Sequence, residues 1–168
     1  GTGFLGAHIL YDLCAQGYEV IALKRPSSTT RQTKKIFKFR GDVSHALYHQ
    51  IIWKEADVLD YESLIVNLHG VDAIVHAAAV VSFNPSRRAE MIRDNEDAAA
   101  NLIDACLQTG VRHLCHISSI AALGHNPKGG AVDESCGLTS YEGKNAYGIA
   151  KFKAEMQMKR GRELGLNI

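Results

Sequence analysis

The chain has 168 residues, of which 46% are hydrophobic and 22% charged, with a formal net charge of +1. This is the composition of an ordinary water-soluble globular chain, long enough for one domain with a sizeable core. The near-zero net charge excludes a global field for nucleic acid or an anionic membrane, and no apolar run approaches the roughly 20 residues of a membrane span.

The chain opens on "GTGFLGAHIL", where Gly1, Gly3 and Gly6 lead into helix-forming residues. Such a turn normally follows a buried strand and brings backbone N–H groups and a helix N-terminus against a pyrophosphate. That strand does not precede Gly1, so the turn is expected to be part of a longer unit. Residues 4–16 carry apolar side chains at helical spacing and stop at Gly17. "YEVIALK" (18–24) is a short β-rich run, 25–41 is polar and basic, and 42–49 is expected to form a short helix.

"IIWKEAD" (51–57) reads as a strand, and "YESLIVNLHG" (61–70) as a helix ending at Gly70. "VDAIVHAAAV" (71–80) is nearly all apolar, as expected of a strand covered on both faces. A long helix is expected over 86–109, a strand over 111–119, a loop over 124–143 and a last helix over 145–164. The final "LGLNI" resembles the start of a further strand. Alternating β and α elements imply parallel strands with right-handed crossovers, hence one α/β domain over 1–168. Its fold class is a Rossmann-type doubly wound parallel sheet, lacking its first strand and the part that follows Ile168.

Cys14, Cys106, Cys115 and Cys136 form no C-x-x-C pair, and three lie in apolar stretches. Buried reduced thiols and a cytoplasmic protein are expected. His113 and His116 bracket Cys115, but on a strand they point to opposite faces, whereas zinc needs converging ligands. No metal is expected.

Three local signals carry chemistry. The 18–24 strand ends in Lys24 and Arg25, and no acidic residue occurs between Lys24 and Arg40. A basic side chain there suits the 2′-phosphate of NADP, where an acidic one would accept bonds from the ribose of NAD. Tyr147 and Lys151, in "YGIAK", are four apart and share a helix face. An unperturbed tyrosine, with a pKa of about 10, is a poor base at neutral pH, and a nearby ammonium favours its phenolate. Ser118 and Ser119 end the 111–119 strand, at the edge where parallel sheets bind ligands. A hydroxyl there orients a carbonyl oxygen, or else caps backbone groups.

Taken together these features resemble the extended short-chain dehydrogenases/reductases, which include nucleotide-sugar epimerase/dehydratases and dihydroflavonol-reductase-like enzymes. The shared order is glycine turn, Asp-Val, Ala-rich strand, helix Asn, strand-end Ser and Tyr-x-x-x-Lys. The resemblance implies cofactor contacts from Gly3, Phe4, Leu5 and Gly6, from Lys24 and Arg25, and from Asp57 and Val58 at the adenine. Ala77, Ala78 and Ala79 would lie against the cofactor, and Lys151 would bind its ribose. It implies a catalytic set of Ser119, Tyr147, Lys151 and Asn95, the asparagine supporting the lysine through water.

The expected cofactor is NADP(H), with NAD(H) as the alternative, and the expected partner is a small-molecule substrate. Nucleic acid and membrane are not expected. A homodimer through the helices at 86–109 and 145–164 is the assembly the family suggests. Three functions compete: an NADPH-dependent ketone/alcohol oxidoreductase, a nucleotide-sugar epimerase/dehydratase with retained NAD, and a non-catalytic dinucleotide sensor.

Overall fold

The computed structural model describes every residue except Phe83, Pro127, Lys128, Thr139 and Glu142. The chain divides into two compact units, Gly1–Asn67 and Leu68–Ile168.

The first unit holds α1 (Phe4–Ala15), β1 (Ile21–Lys24), α2 (Arg31–Phe39), β2 (Ile52–Glu55) and all but the last residue of α3 (Tyr61–Leu68). β1 and β2 are parallel, with Ile21 opposite Ile52 and Lys24 opposite Glu55. Leu10 and Cys14 of α1, Val20 and Ala22 around β1, Ile51 and Phe37 of α2 form one core, bordered by Tyr11, Tyr48 and Trp53. The edges of the Tyr11 and Tyr48 rings meet Phe37 at centroid distances of 5.3 and 5.8 Å.

Two expectations change in this unit. The basic stretch 25–41 contains a helix, α2, whose Thr33, Ile36 and Phe37 are buried. Segment 42–49 is not a helix: it is a series of turns that ends in a 3₁₀ turn, Tyr48–Gln50. The reason is Asp42, buried, whose carboxylate accepts from the N–H groups of Leu47 (3.3 Å) and Tyr48 (2.9 Å). A side chain that takes those donors offers the backbone an alternative to the helical ladder.

The second unit holds β3 (Ala73–His76), α4 (Arg88–Thr109), β4 (His113–His116) and α5 (Ala146–Glu163). β3 and β4 are parallel, with Ala73 opposite His113 and His76 opposite His116. α4 ends at Gly110, which adopts the left-handed conformation (φ 81°) of a helix C-cap. α4 packs against α5, and the two helices bury small side chains, among them Ala98, Ala99, Ala150 and Ala154. Two ion pairs flank the contact, Lys153–Glu96 at 2.6 Å and Arg160–Asp104 at 2.8 Å. The closing segment joins β4 as anticipated: Asn167 bridges His113 in parallel, and the Leu114 N–H donates to Asn167 O at 2.9 Å.

The strands are shorter than the apolar runs suggested. β3 covers four residues of 71–80, and Ala77, Ala78 and Ala79 lie beyond it, exposed. Ala73, Val75, His113 and Cys115 are also exposed within residues 1–168. Cys14, Cys106 and Cys136 are buried thiols, and Cys115 is exposed. Among the described residues no helix is long and apolar enough to cross a membrane.

Candidate active site

In the first unit the glycine turn lies beside the C-terminal end of β1. The Gly1 nitrogen donates to Leu23 O at 3.4 Å, and the Thr33 hydroxyl donates to Gly1 O at 3.3 Å. Gly3 is the N-cap of α1 and carries no side chain with which to cap it. Phe4 and Leu5 are exposed. At Gly6 a Cβ would stand 3.2 Å from Gly1 Cα, so the missing side chain lets the helix start fold onto the turn.

Gly3 is different. Its φ of −79° suits any residue, and a Cβ there would meet nothing within 4 Å. Neither conformation nor packing within the chain demands glycine at this position. What its absent side chain preserves is open space at an uncapped helix N-terminus, the cradle a dinucleotide's pyrophosphate fits.

Lys24, the last residue of β1, and Arg25, which follows it, are in different states. Lys24 Nζ donates to Glu55 Oε1 at 2.6 Å across the β1–β2 register, so its charge is largely matched. The acidic partner sits on the next strand, outside the local window that suggested an unopposed basic pair. Arg25 is exposed. After β2, Asp57 shapes its own loop: its carboxylate accepts from Leu59 N–H at 3.0 Å, and Ser63 Oγ donates to its carbonyl at 3.1 Å. Val58 follows in the same loop, half-buried.

In the second unit the residues after β4 are tied to α5. Lys151, buried, donates from Nζ to Ile117 O at 2.8 Å. Ser118 Oγ donates to Glu155 Oε1. Ser119 Oγ accepts from Ala121 N–H at 3.2 Å and so caps the 3₁₀ turn Ile120–Ala122. That turn packs on the start of α5, where a Cβ at Gly148 would lie 2.5 Å from Ala121 O. Glycine is required there, and the close approach places the Ser119 turn beside the residue that follows Tyr147. α5 begins with Asn145, whose side chain accepts from Gly148 N–H at 2.7 Å.

The two serines are thereby distinguished. Ser118 spends its one O–H on Glu155. Among the described residues Ser119 uses only an acceptor lone pair, which leaves its hydroxyl proton to donate elsewhere. Tyr147 is half-buried on α5, one turn before Lys151. Asn95 is buried in α4 and holds the segment after β3: Oδ1 accepts from Val80 N–H at 3.0 Å, and Nδ2 donates to Val80 O at 2.9 Å and Met91 O at 2.7 Å. Asn95 thus fixes the stretch that continues from Ala77, Ala78 and Ala79.

Two histidines that sequence reasoning did not connect meet here. The rings of His76 and His116 stack with centroids 5.3 Å apart and planes at 24°. Burial pushes His76 down to about 3, helped by the charges of His116 and Lys151. Burial pushes His116 down to about 4, with Lys151 adding to it. Burial also lowers Lys151, while the Glu155 charge acts the other way. His113 faces away from this cluster and pairs with Asn167 at 3.0 Å. The β3–β4 register alone brings His76 opposite His116. The parallel placement of the two strands, once expected, was the signal that could have found the pair.

Known proteins are similar to this chain in sequence and in fold. The sequence model of the NAD dependent epimerase/dehydratase family matches residues 1–168. A putative dihydroflavonol 4-reductase of Synechocystis sp. is 28% identical over 168 residues, covering 100% of this chain and 45% of that protein. Cinnamoyl-CoA reductase 1 of Oryza sativa subsp. japonica is 29% identical over 178 residues, covering 99% and 49%. The crystal structure of the UDP-glucose 4-epimerase of Thermotoga maritima with UDP-glucose superposes with a TM-score of 0.77 at 25% identity, covering 99% of this chain and 50% of that one. The chain spans about half the length of the curated relatives it matches, and its fold is the Rossmann-type α/β fold of these structures.

Proposed function

This chain belongs to the NAD dependent epimerase/dehydratase family, of the extended short-chain dehydrogenase/reductase type, and on that premise we propose that the whole protein moves a hydride between a nicotinamide cofactor and the carbonyl or alcohol carbon of a small-molecule substrate. The observation that supports this most is the tethering of the β4 end to α5, with Lys151 Nζ anchored on Ile117 O at 2.8 Å one turn beyond Tyr147.

The residues divide the work as follows. Gly3, Phe4, Leu5 and Gly6 present the backbone of the turn to the pyrophosphate. Asp57 and Val58 hold the adenine, and Ala77, Ala78 and Ala79 give a flat wall without bulky side chains. The cofactor, when bound, supplies or accepts the hydride. Tyr147 gives a proton to, or takes one from, the substrate oxygen. Ser119, with its hydroxyl proton uncommitted, donates to that oxygen and orients it. Lys151 stabilises charge developing on the Tyr147 oxygen and reaches the ribose. Asn95 keeps the wall after β3 in place through its three bonds to Val80 and Met91, and supports Lys151 through water.

Replacing Tyr147 by Phe removes the proton donor alone. Turnover should fall by about 10²–10⁴-fold, the usual worth of a positioned acid/base, with dinucleotide binding retained. Near-normal turnover would defeat this assignment.

For the cofactor, Arg25 favours NADP(H). Arg25→Ala should then weaken NADPH by about ten- to a hundredfold, the loss of a charge-assisted bond, and NADH much less. The second reading, an epimerase/dehydratase that retains NAD, gains support from the Lys24–Glu55 pair, which removes one of the two cations from that sheet edge. Stoichiometric NAD released on denaturing the purified protein would favour it, whereas an empty site that prefers NADPH would favour the reductase. For assembly, a homodimer through α4 and α5 is consistent with Leu107 and Met156, apolar residues exposed on those helices.

A further inference from the structure

Tyr147, Lys151 and Glu155 are spaced four apart on α5 and share one face. Lys151 is buried, which works against its positive charge, and Glu155 is the carboxylate whose charge opposes that effect. The same carboxylate accepts the bond from Ser118, the neighbour of Ser119.

The other groups near Lys151 cannot take over this role. From β3 and β4 come His76 and His116, both held neutral, with the Lys151 charge itself opposing their protonation. Both ring nitrogens of His116 are buried without a hydrogen-bond partner among the described residues, so they offer the ammonium no negative charge. From α4 the carboxylates that act on α5 include Glu96, paired with Lys153, Asp97, whose charge also acts on Lys153, and Asp104, paired with Arg160; the Asn95 amide bonds Val80 and Met91. Beside the turn after β4, Lys144 donates to Leu123 O and adds a second cation.

We propose that Glu155 is a positioning residue of this site: its carboxylate, one turn from Lys151 on the same face of α5, is that lysine's counter-charge and, through Ser118, fixes the segment after β4 that carries Ser119. The proposal rests on the reading of Tyr147 and Lys151 as the proton-handling pair. One carboxylate thereby couples two otherwise separate requirements, a charged lysine and a fixed serine.

The test is an NMR titration of isotope-labelled lysine in the native protein without substrate, the Lys151 signal being assigned by its loss in Lys151→Arg. Glu155→Gln keeps the shape and an acceptor for Ser118 but removes the charge. It should lower the Lys151 midpoint by about one pH unit, the size of a close opposite-charge effect. Glu155→Asp should restore most of that shift, and Ser118→Ala, which leaves the carboxylate, should move the midpoint less than Glu155→Gln does. In the reducing direction the alkaline limb of the pH–rate profile should move down with the lysine in Glu155→Gln.

An unmoved Lys151 midpoint in Glu155→Gln overturns the proposal. So does an equal shift in Ser118→Ala, or a moved midpoint with an unmoved alkaline limb in an enzyme that Tyr147→Phe inactivates. Normal turnover by Tyr147→Phe would instead defeat the catalytic reading. The lysine titration needs no turnover and would still decide whether Glu155 is the counter-charge.

Discussion

Gly3 and Lys24 bracket what a single residue can reveal. Gly3 has an ordinary backbone and open space where its Cβ would be, so a methyl group there costs the fold little and a bound pyrophosphate much. Gly3→Ala should leave the thermal midpoint within a degree or two while weakening dinucleotide binding by about tenfold or more, or about 1.4 kcal/mol. A titration calorimetry curve unchanged from wild type would remove the turn from the cofactor site. Lys24 shows the reverse. Its sequence neighbours are basic, and a local window cannot see Glu55, 31 positions away, whose carboxylate meets it. The placement of Tyr147 and Lys151 one turn apart on a helix, and of Ser119 shortly after a strand, was legible because it follows from short spacings. The bond from Ser118 to Glu155 was not, because its acceptor lies 37 positions away on another element.

At the scale of elements, α5 and the turn after β4 form the rigid part of the candidate site. Their contact depends on Gly148, where even one carbon would press on Ala121 O, a backbone atom with little room to move. Gly148→Ala should therefore destabilise the protein by about 1–3 kcal/mol, the usual cost of overpacking, and displace Ser119 relative to Tyr147. A denaturant midpoint equal to wild type would refute the packing argument. Helix α2 is the element that sequence reading passed over. Its charged residues dominate the composition, yet Thr33, Ile36 and Phe37 fall at the three- and four-residue spacing of a buried helical stripe. Segment 42–49 misled in the opposite direction, because a buried aspartate organises turns there.

For the molecule as a whole, the His76–His116 stack predicts how stability follows pH. Both rings have folded-state pKa values near 3 and 4, against about 6.5 for an unfolded histidine. Below about pH 6.5 the unfolded chain takes up protons that the folded one refuses, so stability is full above that pH and falls steadily down to about pH 4. The thermal midpoint should drop between about pH 7 and about pH 5, and His76→Gln together with His116→Gln should flatten that drop. A midpoint with the same pH dependence in wild type and double variant would show that the stack does not set it.

The sequence by itself determined the order of helices and strands outside residues 25–49, the glycine turn, the Tyr147–Lys151 spacing and the family. Each of these is a local pattern, written in helical or strand periodicity within a few residues. Only the tertiary structure decided that Glu55 neutralises Lys24, that Glu155 engages Ser118, that two histidines stack beside a buried lysine, and that α2 closes a core. Those facts depend on strand register and on which helix face turns inward. Register and packing join residues tens of positions apart, and no pattern within one element encodes such a pairing.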